Sequence, residues 1–133
     1  SMAKSKFHNL YQRFPELLPA PGIIECGEGL YDIIEELVST VYLYHDANLG
    51  VSSLIPVIFN SIKTRYGVLD IDYYGGDEVI QHLIAYTRKI SFKTCEVCGN
   101  IGELYCSSKF LHWSYKKTLC KNHAIEYFYY TIH

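Results

Sequence analysis

Apolar residues between positions 30 and 42 recur every three or four residues, which is the spacing of one face of an α-helix. Acidic residues occupy the opposite face, and carboxylates in a first turn also suit the positive end of a helix dipole. The apolar face comprises Leu30, Ile33, Ile34, Leu37, Val38, Val41 and Tyr42, and the acidic face comprises Asp32, Glu35 and Glu36. The pattern predicts a half-buried helix that ends near His45.

The following segment repeats the helical spacing at Ile55, Ile58, Phe59, Ile62 and Tyr66. Ser53 is a suitable N-cap, and Pro56 in the first turn would lose no hydrogen bond, because the first N–H groups of a helix are unpaired. Gly67 follows at the position of a C′ glycine. A second helix is therefore predicted from Ser53 to Tyr66.

After Gly67 the apolar positions alternate with polar ones, which predicts a β-strand with one solvent-facing side. The buried side comprises Leu69, Ile71 and Tyr73, and the solvent side comprises Asp70, Asp72 and Tyr74. Gly75 and Gly76 are predicted to turn the chain, and Asp77 to cap a third helix that runs to about Ser91. The predicted buried stripe of that helix is Val79, Ile80, Leu83, Ile84 and Ile90.

The first 24 residues contain three prolines and are predicted to be irregular, with one or two short helical turns. The residues that would dock these turns are Leu10, Tyr11, Phe14, Leu17 and Leu18. Together the elements predict an α+β fold, in which a small helical body with a short sheet spans residues 1–92. A length of 133 residues is that of one domain, so residues 93–133 are predicted to pack on this body as one compact unit.

Four of the five cysteines lie within residues 95–120, and the odd total argues against a disulfide framework. Cys95 and Cys98 form a CxxC motif followed by Gly99, and Cys120 and His123 form a CxxH motif further on. Zn²⁺ prefers four tetrahedral sulfur and nitrogen ligands, and two such half-sites joined by a hairpin form a zinc ribbon. Residues 103–107 and 113–119 are predicted to form that hairpin and to bring the four ligands together.

Cys106 and His112 are rival candidates for the fourth ligand, but neither belongs to a paired motif. Cys106 is therefore predicted to be a core residue of the hairpin, and Cys26 a small buried apolar residue. Four protein ligands leave no position for water, so the predicted Zn²⁺ is structural rather than catalytic.

The net charge of −2 conceals an uneven distribution of charge along the chain. Residues 25–78 carry ten acidic side chains against two basic ones, whereas residues 79–133 carry seven basic side chains against three acidic ones. An acidic surface attracts basic proteins and repels nucleic acid, although such acids also serve to solvate helix faces. Thirteen tyrosines add a side chain that is enriched at protein interfaces. The predicted partner-binding residues are Asp32, Glu35, Glu36, Asp70, Asp72, Tyr74 and Asp77.

The basic C-terminal third favours an alternative function, that of a zinc-ribbon protein that binds nucleic acid or acts as a regulator. Basic side chains interleaved with a tryptophan suit single strands. The candidate residues are Lys93, Lys109, Trp113, Lys116, Lys117 and Lys121.

The sequence motifs do not favour a catalytic function or a membrane-spanning one. Gly75 and Gly76 lack the spacing and the lysine of a phosphate loop, no serine has the context of a nucleophile elbow, and the remaining histidines are scattered. No apolar run is long enough to cross a bilayer, and no secretory signal is evident. The sequence therefore predicts a cytoplasmic protein that is not an enzyme.

Residues 59–100, followed by Trp113 and the segment KKTLCKNHA, resemble a widespread family of small, largely uncharacterised bacterial and phage proteins. The family pattern is a lysine-rich helix ending in Phe-Gly or Tyr-Gly, a Leu-led strand, a glycine turn, a helix, Thr-Cys-Glu-x-Cys-Gly and Trp-x-x-Thr-Leu-Cys. Gly29, Leu30 and Tyr31 look like its glycine–aromatic opening, so the resemblance covers about residues 28–125. It implies that Cys95, Cys98, Cys120 and His123 are the ribbon ligands.

The chain departs from this pattern in two places. Asp70 replaces the arginine that usually follows the leucine of the strand, and the stretch 105–112 is longer. The first departure makes this chain more acidic. Proteins of this kind also occur beside polymorphic toxins of contact-dependent and type VI systems. The resemblance therefore implies an immunity protein that binds a cognate toxin domain, such as a basic nuclease.

Overall fold

The structure, a computed structural model, describes residues 5–51, 53–107, 115–127 and 129–131. The helices are α1 (His8–Arg13), α2 (Tyr31–Ala47), α3 (Glu78–Ser91) and α4 (Lys121–Glu126). The strands are β1 (Ile24–Glu25), β2 (Ile58–Arg65), β3 (Val68–Tyr74), β4 (Glu103–Ser107), β5 (Lys116–Leu119) and β6 (Tyr129–Thr131). The predicted α+β class is confirmed. None of the helices in these ranges has the length and apolarity that a bilayer-spanning helix needs.

The sheet of the N-terminal body is built around β2, which pairs in parallel with β1 and antiparallel with β3. Helices α2 and α3 pack on one face of this sheet, because their apolar stripes and alternate strand residues join a single core. Fully buried members of that core include Phe59, Ile62, Leu69, Ile34, Val38 and Ile80. The opposite face of the sheet carries Lys63, Asp70 and Asp72.

The predicted helix from Ser53 to Tyr66 is wrong, because residues 58–65 form the central strand β2. A β-bulge explains the misleading spacing. Phe59 pairs with Tyr73 and Ile62 with Ile71, while Asn60 is the extra residue of the bulge. Phe59 and Ile62 therefore both point into the core although they are three positions apart, as on a helix face. A strand is favoured here because β3 pairs with the backbone of β2 on one side, while β1 and the carbonyls of Leu17 and Ile23 bond to it on the other.

The chain reverses between β2 and β3 in a two-residue turn, and not after a helix end. Tyr66 and Gly67 have φ angles of 53° and 85°, and the flanking Arg65 pairs with Val68. Two central residues with positive φ are typical of the type I′ turn that hairpins favour. Gly67 is therefore required by the hairpin, and a Cβ atom there would lie 2.5 Å from the Leu104 side chain.

The other predicted elements of the body are confirmed. The predicted first helix is α2, the predicted strand is β3, and Asp77 caps α3 by accepting a hydrogen bond from the Ile80 N–H at 3.1 Å. The prediction that Val79 of α3 is buried is wrong, because its side chain is 45% exposed. The buried row begins one residue later and comprises Ile80, Ile84, Thr87 and Ser91.

The N-terminal segment packs along the body, and its predicted apolar residues are largely buried. Leu10, Phe14, Leu17 and Leu18 belong to the same core as α2. The Leu17 carbonyl accepts a hydrogen bond from the Phe59 N–H at 3.0 Å, and the Tyr11 hydroxyl accepts one from the Ile24 N–H at 2.7 Å. These contacts hold the segment against the edge of the sheet.

The C-terminal residues form a second sheet, in which β4 lies between β5 and β6. The pairing of β4 with β5 is the predicted hairpin, over the part of it that the structure describes. This sheet contacts the body at the hairpin turn, where the buried Thr118 hydroxyl donates a hydrogen bond to the Gly67 carbonyl at 2.6 Å. The Gly29 N–H also donates to the Glu96 carbonyl at 2.9 Å, so a second contact lies just before α2.

Candidate metal centre

The structure brings Cys95, Cys98, Cys120 and His123 together in one group, which we call the cysteine–histidine cluster. Their ligand atoms all lie within 4.8 Å of one another. Cys95 and Cys98 come from the turn that follows α3, Cys120 is the N-cap residue of α4, and His123 lies in the first turn of that helix. Within the described ranges this is the one group of three or more His, Cys, Asp or Glu residues with such proximity.

Three of the distances within the cluster lie close to those of tetrahedral coordination. Zn–S bonds of about 2.3 Å and Zn–N bonds of about 2.0 Å place two sulfurs about 3.8 Å apart and a sulfur about 3.6 Å from a nitrogen. The Sγ atoms of Cys98 and Cys120 are 3.8 Å apart. Nδ1 of His123 lies 3.6 Å from Sγ of Cys95 and 3.2 Å from Sγ of Cys120. A disulfide requires an S–S distance of about 2.05 Å, so these cysteines are not disulfide-bonded.

Backbone hydrogen bonds close the turn that carries Cys95 and Cys98. The Gly99 N–H donates to the Cys95 carbonyl at 2.8 Å, and the Cys95 N–H donates to the Asn100 carbonyl at 2.7 Å. Gly99 has a φ of 83°, a conformation that glycine adopts without the steric cost of a side chain. This explains why a glycine directly follows the CxxC motif.

The backbone also sets the ionisation of the cysteines. Burial by itself raises the pKa of Cys95, but the N–H groups of Cys120, Cys98 and Val97 favour the thiolate and bring that pKa down to about 7. The Asn100 N–H lowers the pKa of Cys98, yet burial and the sulfurs of Cys95 and Cys120 outweigh it, so the pKa is raised. Three sulfurs at these distances can all be thiolates only beside a cation, as in a metal site.

His123 is oriented by contacts on both sides of its ring. Its Nδ1 faces the sulfurs, while its Nε2 lies 3.8 Å from Oε2 of Glu126, one turn further along α4. The ring also stacks on Tyr127 with a centroid separation of 6.2 Å. A carboxylate near the second ring nitrogen is the usual means of holding a ligating imidazole in orientation.

Glu96 is a buried carboxyl beside the cluster, and none of the predictions made from the sequence includes it. Burial raises its pKa, although Lys117, whose Nζ lies 3.7 Å from Oε1, acts in the opposite direction. Burial, and to a lesser extent the charge of Glu96, raises the pKa of Cys26 to about 12. Cys26 is therefore a neutral thiol, and it packs against the main core while remaining partly exposed. The only sequence signal for Glu96 was its place inside the CxxC motif.

The two rival ligands have different outcomes. Cys106 lies in β4, is partly exposed and does not belong to the cluster. His112 lies outside the described residues, and so do Lys109 and Trp113 of the alternative nucleic-acid surface.

The predicted partner-binding residues do not form one continuous surface. Asp32 and Glu36 lie on the exposed side of α2, whereas Asp70, Asp72 and Tyr74 lie on the far face of the sheet, away from both helices. Three of the acids also have partners within the chain. Glu35 pairs with Arg13 at 2.6 Å, Asp70 pairs with Arg65 at 3.1 Å, and Asp77 accepts from the Tyr44 hydroxyl at 2.5 Å.

Comparison of the chain with protein-family models, with curated proteins and with solved structures yields no match.

Proposed function

We propose that this protein is a non-catalytic, cytoplasmic immunity protein, which binds a cognate bacterial toxin domain and contains a structural Zn²⁺ in the cysteine–histidine cluster. The observation that carries the choice of a protein partner is the exposed far face of the sheet, which bears carboxylates and a tyrosine. The closed ligand set accounts for the structural metal and is common to both candidate functions. Three sulfurs and one imidazole complete a tetrahedral shell, so a metal bound there has no position for substrate or water.

The donor set favours zinc among the common metals. Cysteine sulfur and histidine nitrogen are its preferred ligands in structural sites, whereas Mg²⁺ and Ca²⁺ prefer oxygen. When bound, the metal supplies folding energy by holding the turn after α3 against the start of α4.

The far face of the sheet supports a protein partner. Asp72 and Tyr74 are both exposed there, and Tyr74 is 61% exposed. Carboxylates beside a tyrosine suit a lysine- and arginine-rich domain, because the charges speed association and the ring provides contact area. A nuclease domain is basic in order to bind phosphates, which makes it a fitting target.

The alternative function, nucleic-acid binding by the C-terminal sheet, has weaker support. One of its candidate cations, Lys117, already pairs with the buried Glu96. The acidic body to which the sheet is attached would also oppose phosphates.

The proposal is tested with the polypeptide encoded immediately upstream of this chain. We expect its C-terminal domain to arrest bacterial growth, and co-expression of this chain to restore growth and to yield a stable complex on size-exclusion chromatography. The variant carrying Asp70→Lys and Asp72→Lys should associate more slowly than the control Glu78→Lys, and raised salt should reduce the difference. Growth arrest that this chain does not relieve would contradict the proposal. Tight binding of generic single-stranded DNA, lost in Lys116→Gln/Lys117→Gln, would favour the alternative.

A further inference from the structure

An apolar cavity of about 470 Å³ opens between the N-terminal segment, the C-terminal end of α2 and the start of β2. This volume is in the range of protein pockets that hold ligands or anchor side chains, about 300–1,000 Å³. Most of the described lining residues are apolar, and they include Leu17, Tyr42, Leu49, Val51, Leu54 and Ile58.

Several of these side chains also face solvent. Leu49 is 79% exposed, Val51 is 49% exposed and Ile58 is 39% exposed. Isolated apolar residues are common on protein surfaces, but a cluster of them around a concavity marks an interaction site. The cavity therefore has the composition of a docking pocket.

Hydrogen bonds hold the walls of the cavity in place. Nε2 of His45 accepts a hydrogen bond from the Val57 N–H at 3.1 Å, which ties α2 to the start of β2. The Asn48 side chain donates to the Tyr44 carbonyl at 2.7 Å and closes the end of the helix. The Gly76 N–H donates to the Ile55 carbonyl at 2.7 Å, so the connecting segment is also anchored to the turn after β3.

The charge around the cavity identifies the kind of occupant. Glu16 and Asp46 are both exposed and line it, and no lysine or arginine is among its described lining residues. The acidic surface extends from the cavity onto the far face of the sheet. Ile58 of the cavity pairs with Tyr74, and Asp72 lies two residues before Tyr74 on the same face of β3. An apolar cavity with an acidic border complements an apolar side chain flanked by cations.

We infer that this cavity, which we call the acid-bordered pocket, receives a leucine or phenylalanine side chain flanked by lysine or arginine residues of the partner protein. The inference rests on the proposed function, since it names the place where the toxin domain would be anchored. A few residues buried in well-packed pockets commonly supply most of the affinity of an interface, and the surrounding charges set the orientation and the association rate.

The first test is a titration of the isotope-labelled, zinc-loaded full chain with the peptide Lys-Lys-Leu-Phe-Lys-Lys, monitored by NMR. We expect amide shifts at residues 48–51 and at Val57 and Ile58, and no comparable shifts with Glu-Glu-Leu-Phe-Glu-Glu or with Lys-Lys-Gly-Ser-Lys-Lys. Asp46→Lys and Leu49→Ser should each weaken binding about tenfold. Leu43→Ser and Glu78→Lys are the matched controls, since both residues are exposed and neither lines the pocket.

Three results would overturn this inference. Equal shifts with both Leu-Phe peptides would indicate a pocket for any apolar ligand. Concentration-dependent dimerisation that Leu49→Ser abolishes would indicate a second copy of this chain as the occupant. A toxin complex whose dissociation rate is unchanged by Asp46→Lys and Leu49→Ser would place the anchor elsewhere while leaving the proposed function intact. If the upstream domain forms no complex but the peptide binds the pocket, the proposed function fails and the binding preference of the pocket remains.

Discussion

At the scale of single residues, each half of the cysteine–histidine cluster depends on a short sequence spacing. A single helical turn or a single tight turn is enough to bring the two donor atoms of each half together. Cys120 and His123 are three residues apart at the start of α4, so their donor atoms lie on the same side of one helical turn. Cys95 and Cys98 are joined by a turn whose conformation Gly99 permits. Each half-site is therefore encoded locally, and only their meeting requires the fold.

Replacing Cys120 by serine is expected to release the metal and to destabilise the C-terminal sheet, because a hydroxyl is a poor zinc ligand and ligation contributes to folding. Elemental analysis should show about one Zn²⁺ per chain in the parent protein and much less in this variant. Cys106→Ser is the matched control and should retain the metal. Retention in Cys120→Ser together with loss in Cys106→Ser would contradict the ligand set.

Asp77 provides a prediction about pH. The hydrogen bond from Tyr44, together with the backbone N–H of Ile80, lowers the pKa of this carboxyl below its ordinary value of 3.8, despite some burial that acts in the opposite direction. A depressed carboxyl pKa adds stability that is present above the ordinary value and is lost as pH falls through the lower folded value. Asp77→Ala should therefore be less stable than the parent protein at pH 7.

Thermal unfolding at several pH values checks this expectation, and the difference between the two proteins should shrink steadily below about pH 3.8. Tyr44→Phe serves as the companion variant, because it removes the hydroxyl while retaining the carboxylate cap on α3. Tyr44→Phe should lose less stability than Asp77→Ala, and its loss should also shrink as the pH falls. A difference that stays constant on acidification would show that the carboxylate charge has no role.

At the scale of elements, β2 shows how a β-bulge can produce the spacing of a helix. Phe59 and Ile62 are buried on one side of the strand only because Asn60 is the extra residue between their paired positions. The turn that follows is equally specific, since Tyr66 has a positive φ that non-glycine residues adopt only at a steric cost of about 1–2 kcal/mol.

Tyr66→Asn is expected to stabilise the protein by about 0.5–1 kcal/mol, because Asn-Gly is the pair that a type I′ turn prefers. Gly67→Ala should destabilise it by about 1–2 kcal/mol through the strain of a positive φ, and the contact with Leu104 adds to that loss. Urea unfolding measures both effects. As a control, Tyr86→Asn changes the same side chain at an exposed position of α3 and should change stability little, because tyrosine and asparagine have similar helix propensities. Destabilisation by Tyr66→Asn would argue against the type I′ turn.

At the scale of the whole molecule, the cluster lies where the C-terminal residues meet the body. The turn that carries Cys95 passes so close to the residues before α2 that a Cβ atom on Gly29 would lie 2.3 Å from the Cys95 carbonyl oxygen. The contact between Thr118 and Gly67 joins the second sheet to the main hairpin. Metal binding and the packing of the body are therefore expected to depend on each other.

Gly29→Ala tests this dependence. The added methyl group meets backbone atoms that cannot move independently, so we expect a loss of about 1–3 kcal/mol in stability together with faster metal transfer to a chromophoric chelator. Gly22→Ala is the control, because its φ of 83° makes the substitution strained, but no atom of the described residues lies within 4 Å of the added methyl group. It should lose stability without any change in metal transfer. Equal transfer rates in both variants would show that the body does not support the cluster.

Local sequence spacings were enough to predict the elements whose signals lie within a few residues. Helix α2, strand β3, the Asp77 cap and the two half-sites of the cluster all follow from spacings within a few residues, where backbone geometry dictates which side chains share a face. The paired motifs were sufficient to predict which four residues would gather, although neither Glu96 nor the close approach at Gly29 could be anticipated from them.

Long-range contacts set the identity of β2 and the distribution of the acidic side chains over the surface. The residues of β2 fit a helix as well as a bulged strand. The choice was made by pairing with β3 across the two-residue turn on one side, and with β1 and the N-terminal segment, which are distant in sequence, on the other. The acids that looked like one surface in the sequence are divided between α2 and the far face of the sheet, because the core lies between those two layers. Charge counted along a chain carries no information about which side of a layered fold each side chain will face.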